Sequence, residues 1–260
     1  MTRDLAAPSA RSALSILMYH RVGVFPRPAA HRALFCDVGR FARQMHFLRW
    51  AGIDVVSLDQ ALVHVAAGQF DRPRVVLTFD DGYQDFADHA WPILKSMGYP
   101  ASVFLVSRQV GGPARWLGSD LPAANLMDRA TLRRLDAEGV DFGSHTQNHR
   151  RLSTLSDTQM RGEILNSKHE LEDMLGHDIR HFCYPYGDYT ESARACVQTA
   201  GYHSGLTCIR GAANLATNVH ELPRKAISHG DNLFGFAWKI LFKHARKGRG
   251  AIVKAEAAAE

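Results

Sequence analysis

Leu77-Thr78-Phe79-Asp80-Asp81-Gly82-Tyr83, preceded by the apolar pair Val75-Val76, is the stretch from which the fold of this 260-residue chain is read. A β-branched run that ends in two adjacent carboxylates and a glycine predicts a buried parallel strand whose C-terminal end opens into a turn. Chemistry in α/β folds sits at such strand ends. Neighbouring strand residues point to opposite faces. Where the strand breaks into a turn, however, Asp80 and Asp81 can both reach one pocket, one ligating a cation while the other stays free as a base. Taken alone, the stretch reads equally as a solvated Asp-Asp-Gly turn.

Strand and helix patterns alternate on either side of it. An apolar strand, Leu14-Ser15-Ile16-Leu17-Met18-Tyr19, ends in His20 and Arg21. A helix with Phe41, Met45, Leu48 and Trp50 on or near one face stops at Gly52, a short strand covers 53–58, and Asp59 is placed to cap a helix that runs to Ala67. After the Asp-Asp strand come a helix at 84–97, a strand at 101–106 and a long Gly- and Pro-containing loop at 107–127 of the kind that covers a site. A helix at 128–138, a strand delivering His145, a helix at 157–175, the strand-turn Phe182–Gly187, a helix at 190–200 and strands at 202–207 and 221–227 complete the pattern. Seven or eight such units predict a mainly parallel α/β barrel rather than an open sheet.

Composition bounds the function. With 46% hydrophobic and 22% charged residues, the chain suits one soluble domain with a substantial core. A formal charge of +5 and a pI near 9.1, with basic residues dispersed except near the C-terminus, argue against a nucleic-acid partner. The four cysteines, Cys36, Cys183, Cys196 and Cys208, lack CxxC spacing and read as free, mostly buried thiols of a reducing compartment. Asp4, Pro8 and Arg11 interrupt what would be the apolar core of a leader, and no window is apolar enough to span a bilayer. A cytoplasmic location is the expectation.

His145-Thr146-Gln147-Asn148-His149 places two imidazoles four residues apart just past a strand end. With an aspartate they make a sufficient shell for a catalytic divalent metal, leaving room for water and substrate. Solvated loop histidines are the alternative. Three strand-end motifs aimed at one barrel mouth weigh against it.

Thr78-Phe79-Asp80-Asp81-Gly82, His145-Thr146-Gln147-Asn148-His149 and Tyr184-Pro185-Tyr186-Gly187, in this order, resemble the motifs of the polysaccharide deacetylases of carbohydrate esterase family four, the NodB-homology fold. The likeness runs from about residue 14 to 235. It implies a distorted (β/α) barrel of about seven strands and metal-dependent removal of an acetyl group. By the same resemblance Asp81, His145 and His149 are the metal ligands and Asp80 the general base. The Tyr186 backbone N–H is the oxyanion donor, and Tyr184, Pro185 and Gly187 are substrate-binding neighbours. Zinc is the default for an Asp-His-His shell, with cobalt, nickel or iron as alternatives.

The departures from the family pattern are informative. Its usual arginine shortly before the Pro-Tyr-Gly turn is absent: His181, Phe182 and Cys183 stand there, and Arg180 is out of register. Arg224, at a Leu-Pro-Arg strand end, can orient Asp80 from the other side. Two histidines compete as general acid. His20 sits in a segment that resembles the N-terminal motif of the biofilm poly-N-acetylglucosamine deacetylase subgroup, whereas His229 has the commoner C-terminal position but lies in a Gly-Asp-Asn turn. His20 is favoured because the acid must come from a strand end at the mouth.

The chain therefore divides into a disordered lead (1–13), a catalytic domain (14–235) and a basic amphipathic segment with tail (236–260). On a helix over 233–249, Lys239, Lys243, Arg246 and Lys247 share one side and Trp238, Leu241, Phe242 and Ala245 another. That is the pattern of an interfacial helix contacting a membrane, or of a barrel-packing helix with a solvated basic face. The expected substrate is an N-acetylated glycan or a lipid- or nucleotide-linked sugar met at the inner membrane face. The alternatives are hydrolysis of another C–N bond, such as a formamide or cyclic amide, and a non-catalytic glycan-binding module.

Overall fold

The apolar run before Asp80 is a strand, and its pairing closes a barrel. The computed structural model describes residues 14–28, 31–117, 121, 124–248 and 250–252; the lead at 1–13 and the tail end at 253–260 lie outside the described residues. In chain order the strands are β1 (Leu14–Tyr19), β2 (Arg21–Gly23), β3 (Phe35–Asp37), β4 (Asp54–Val55), β5 (Arg74–Phe79), β6 (Ser102–Leu105), β7 (Asp141–Ser144), β8 (His181–Cys183), β9 (Ser204–Arg210) and β10 (Leu222–Ala226). The helices are α1 (Val38–Trp50), α2 (Leu58–Ala67), α3 (Trp91–Met97), α4 (Arg129–Ala137), α5 (Asp157–Leu175), α6 (Glu191–Thr199) and α7 (Leu233–Phe242).

Strands β1, β5, β6, β7, β8, β9 and β10 form a closed, all-parallel ring in which β1 pairs with both β5 and β10. The short β4 lies against the start of β5, and β2 pairs with β3 in a separate parallel ribbon. Every residue of β5 is buried, as a strand with a barrel interior on one face and helices on the other requires. Ile16, Val76, Phe104, Leu206 and Leu222 pack together in one cluster. A second, larger cluster lies between the strands and the helices and includes Leu17, Tyr19, Phe41, Leu77 and Phe79, with Tyr19 stacked on Phe79 at 5.2 Å between ring centroids. Period-two alternation puts Thr78 and Asp80 on the same side of β5, and both bond to Arg224.

Local signals account for the helix boundaries, with one reassignment. The N-cap of α2 is Ser57, whose hydroxyl accepts from the Gln60 N–H while the Gln60 side chain accepts from the Ser57 N–H; Asp59 instead bonds His181 and Arg180. Trp50, expected near the buried face of α1, is 84% exposed. The largest departure is at the C-terminus. Helix α7 starts at Leu233, where the helix was expected, across the expected domain boundary at 235/236, but ends at Phe242 rather than continuing to 249, after which Lys247 pairs with Arg210 in an antiparallel bridge. Lys239, Lys243, Arg246 and Lys247 therefore do not share one helical face. Phe236 and Ile240 belong to the main core, with Phe236 edge-on to Phe47 of α1, so α7 is part of the barrel domain.

Lys225, next to Arg224 on β10, points the other way and holds α7 down. Its ammonium donates to the carbonyls of Lys239 (2.6 Å) and Ile240 (3.4 Å) and to Ser15 Oγ (2.9 Å). Burial pushes it down to about 7 from an ordinary 10.5. Between these values the unfolded chain carries the proton and the native chain does not, so this residue makes stability rise with pH from about 7 towards 10.5 and contributes no slope below 7. Denaturant unfolding at a series of pH values is expected to show that rise in the wild type and a flatter profile in Lys225→Met; identical slopes would contradict the assignment.

Candidate active site

Register brings the first pair of residues together. Strands β1 and β5 pair residue by residue from Leu14↔Arg74 to Tyr19↔Phe79, so the next residues, His20 and Asp80, leave the barrel side by side. The Asp80 N–H donates to the Tyr19 carbonyl at 3.0 Å, and His20 Nε2 lies 4.0 Å from Asp80 Oδ2. Just beyond, Arg21 Nε donates to Asp85 Oδ2 at 2.8 Å and the Val22 N–H to Asp85 Oδ1 at 3.2 Å, fixing the segment that carries His20.

Arg224 reaches Asp80 from β10. Its two terminal nitrogens donate to the two carboxylate oxygens, each at 2.7 Å, while Nε donates to the Thr207 carbonyl at 2.9 Å and the remaining contacts go to Thr78 Oγ1 (3.2 Å) and Cys183 Sγ (3.1 Å). Both partners are buried. Burial alone would raise the Asp80 carboxyl, but the facing guanidinium outweighs it and holds the group below its ordinary range. Asp80 is thus an ionised base in a water-poor site.

Asp81 would point outward on a continued strand. A φ of 77° turns it back, a conformation aspartate tolerates better than most side chains. Its Oδ1 then lies 3.4 Å from His145 Nε2 and 3.2 Å from His149 Nε2, and this buried oxygen has no well-formed hydrogen bond among the described residues. The outer nitrogens are occupied: His145 Nδ1 lies 2.7 Å from the Cys183 carbonyl and His149 Nδ1 3.1 Å from Tyr186 Oη. A proton on Nδ1 of His145 leaves its Nε2 lone pair directed at Asp81. Burial lowers His149, favouring the neutral imidazole that a cation needs.

One carboxylate oxygen and two imidazole nitrogens, mutually within 4.8 Å, fit a divalent cation. A second grouping, Asp80, His145 and Cys183, is equally tight, but both Asp80 oxygens and the Cys183 sulfur face the Arg224 guanidinium, which would repel a cation. Asp81, His145 and His149 are the better site.

Backbone strain gathers here. Of the five non-glycine residues with positive φ among the described residues, Asp81, Thr146, His149 and Tyr186 are at the site, and Thr146, being β-branched, is the most unusual. Hydrogen bonds hold the 145–149 loop in place: Thr146 Oγ1 accepts from the His149 N–H at 3.0 Å, and Glu163 of α5 accepts from the backbone (2.9 Å) and side chain (2.8 Å) of Asn148.

The third motif is divided differently from expectation. Tyr186, at φ 60°, turns its half-exposed ring onto His149, and Arg151 lies over that ring at 4.2 Å. Tyr184, Pro185 and Gly187 do not line the site. Tyr184 is fully buried and donates to the His220 carbonyl, Pro185 is buried, and a Cβ at Gly187 would lie 2.6 Å from that of Cys208. They hold the turn that presents Tyr186, because the positive φ at 186 breaks the alternation that would otherwise set 184 and 186 on one face. His229 is elsewhere: its N–H donates to the Arg32 carbonyl at 2.9 Å, its carbonyl accepts from Arg40, and its charged neighbours are Arg40, Arg32 and Asp37. Three site residues carried no motif. Trp116, from the long loop, stacks on His149 at 4.3 Å; the other two are Arg151 and the Cys183 thiol between Asp80 and Arg224. Only the Trp in a Gly- and Pro-containing loop gave a signal.

Comparison with known proteins agrees with this geometry. The polysaccharide deacetylase family profile matches residues 67–205. The Bacillus subtilis protein YxkH is 26% identical over 218 residues, covering 84% of this chain and 72% of that protein. The poly-beta-1,6-N-acetyl-D-glucosamine N-deacetylase of Staphylococcus epidermidis is 24% identical over 198 residues, covering 73% of this chain but 66% of that enzyme, just under two thirds of its length. The structure of IcaB from Ammonifex degensii superposes with a TM-score of 0.73 at 26% identity, covering 88% of this chain and 97% of that one.

Removing the Tyr186 hydroxyl takes away the partner of His149 Nδ1 without touching a ligand atom. Tyr186→Phe is expected to weaken Zn²⁺ binding about tenfold in competition with a chromophoric chelator. Unchanged affinity would mean that this hydroxyl does not orient His149.

Proposed function

This chain belongs to the polysaccharide deacetylase family, and we propose that it hydrolyses the acetamide of an N-acetylated sugar with Asp80 as general base and His20 as general acid. The observation that carries this reading is the buried, Arg224-clamped carboxylate of Asp80 beside the convergent Asp81, His145 and His149. The binding-module and other C–N hydrolase readings give way to the family match, since the site retains a base and a ligand set in one pocket.

Asp81, His145 and His149 would hold the cation, proposed to be Zn²⁺ from the mixed oxygen and nitrogen donors. When bound, such an ion lowers the pKa of water to about 7 and polarises the acetyl carbonyl. The protein groups do the rest. Asp80, too weak a base for bulk water, accepts the proton of the attacking water as the C–O bond forms. The Tyr186 backbone N–H donates to the developing oxyanion; the turn around it is closed by other donors, the Gly187 N–H to the Tyr184 carbonyl (2.9 Å) and the Asp188 N–H to the Pro185 carbonyl (3.0 Å). His20, 16% exposed and with its Nε2 4.0 Å from Asp80 Oδ2, protonates the amine as the C–N bond breaks, releasing acetate and a free amino sugar. Trp116, Tyr186 and Arg151 give the mouth a flat aromatic and cationic wall suited to a sugar ring. The S. epidermidis relative is named for a poly-N-acetylglucosamine substrate, and the same chemistry proposed here serves a polymer or a lipid- or nucleotide-linked acetylated sugar.

Acetate release from N-acetylglucosamine oligomers is the test. Zinc-loaded wild type is expected to be active, chelator treatment to abolish activity, and Asp80→Asn and His20→Ala each to lower turnover by about 10²–10⁴-fold. His229→Ala is expected to stay within about twofold of wild type. Equal losses in His20→Ala and His229→Ala would overturn the acid assignment, and metal-independent release would overturn the mechanism.

A further inference from the structure

Away from the catalytic pocket, a cleft of about 580 Å³ lies between α7 and the ends of β9 and β10, and its charge is one-sided. Arg210, Lys225, Lys239, Lys243 and Lys247 line it together with Phe242, and the remaining lining residues are alanine, glycine and serine. No carboxylate is among them. Lys225 forms the buried part, and all its contacts are neutral: Ser15 Oγ, the carbonyls of Lys239 and Ile240, and His244 Nδ1 at 3.3 Å. Among the described residues only Lys239 of the five is neutralised, by Asp231 at 2.6 Å; no ion pair involves Arg210, Lys225, Lys243 or Lys247. Glu221, the other nearby acid, is already taken by Arg246 and Tyr189. Arg210, Lys243 and Lys247, cations left without counter-charge, make a site for an anion with several acceptor oxygens, with Lys225 as a neutral or charged donor at its base according to pH.

What lies beside the cleft selects the anion. Phe234, Trp238 and Phe242 recur every four residues along α7 and form one stripe, 88%, 55% and 55% exposed, with Trp238 and Phe242 in ring contact at 4.6 Å. The opposite side of the helix is spent on the core through Phe236 and Ile240. From Asn232 through Lys254 the sequence has no acidic residue but has Lys239, Lys243, Arg246, Lys247, Arg249 and Lys254. An aromatic stripe rimmed by lysines and arginines matches the boundary between acyl chains and anionic headgroups. A soluble phosphate ligand would use the cations and leave the stripe unexplained.

We propose that α7 and the cleft behind it form a membrane-docking surface, the cleft taking the phosphates of anionic lipids while Phe234, Trp238 and Phe242 enter the interface. Arg210 and Ala226 stand at the C-terminal ends of β9 and β10, the same end of the parallel barrel at which His20, Asp80 and His145 emerge. Docking there would hold the catalytic end close to the headgroup layer. Neither the cleft nor the stripe contains a residue assigned to the hydrolytic chemistry, so the docking can fail while the deacetylase reading stands.

Co-sedimentation of the full chain with vesicles of phosphatidylcholine alone, or mixed with phosphatidylglycerol, tests the proposal. Wild type is expected to bind the mixed vesicles and to dissociate at high salt. Arg210→Gln/Lys243→Gln/Lys247→Gln should bind on the order of 100-fold more weakly, and Phe234→Ala/Trp238→Ala at least about tenfold more weakly. Both variants should cleave a soluble acetyl ester as the wild type does, which shows that they fold. Absence of binding to the mixed vesicles, or equal binding by wild type and triple variant, would overturn the proposal. So would a rise in melting temperature with inorganic pyrophosphate, lost in the triple variant, in a protein that ignores vesicles; that result would make the cleft a soluble-phosphate site.

Discussion

The ion pair between Arg224 and Asp80 is the contact on which the site depends. Arg224 is among the largest side chains with almost no exposed surface, and its guanidinium bonds to β5, β8 and β9 at once. Burying two charges costs several kcal/mol per ion, and the cost is recovered only when the geometry is close to ideal and the remaining donors are satisfied. Here they are: two parallel bonds to the carboxylate, a backbone carbonyl, a threonine hydroxyl and a thiol account for the guanidinium. The same pair that ties four strands together keeps the base ionised.

From that constraint the arrangement of the mouth follows. Asp80 is on the Arg224 side of β5 by strand period, so Asp81 can join it only through a left-handed backbone, and Gly82 follows at φ 77°, where a Cβ would come within 2.7 Å of the Leu105 side chain. Thr146, His149 and Tyr186 adopt similar backbone conformations to aim the imidazoles at Asp81 and the Tyr186 hydroxyl at His149. Each such residue costs on the order of 1 kcal/mol or more, and α5, through Glu163, helps to hold the loop that bears two of them. Stability is thereby exchanged for a set of groups already in position.

Much of this was legible in the sequence because strand-end motifs combine a period-two signal with residues that have few structural uses there. Seven or eight alternating strand and helix units predicted the barrel, and the Asp80-Asp81 turn, the His-x-x-x-His spacing and the Pro-Tyr-Gly turn marked the strand ends that carry its chemistry. The register of β1 against β5, which sets His20 beside Asp80 and leaves His229 elsewhere, is a long-range pairing that no local pattern encodes. The same limit hid Arg151 and the particular partner of Trp116, although the loop that carries Trp116 was read as covering a site. The family resemblance made Tyr184 a substrate contact; its ring is instead fully buried, its hydroxyl donates to the His220 carbonyl, and the positive φ at Tyr186 presents only that neighbour to the site. At the C-terminus, amphipathic periodicity continued past Phe242, where the backbone leaves the helix to pair Lys247 with Arg210.

The central claim is that Arg224 keeps Asp80 charged and placed within the barrel. Unfolding free energies of Arg224→Met, Asp80→Asn and the double variant measure it directly. Arg224→Met alone is expected to cost about 3–5 kcal/mol, because it strands a buried carboxylate, and adding Asp80→Asn should restore part of that loss. Strict additivity of the two changes would contradict the account.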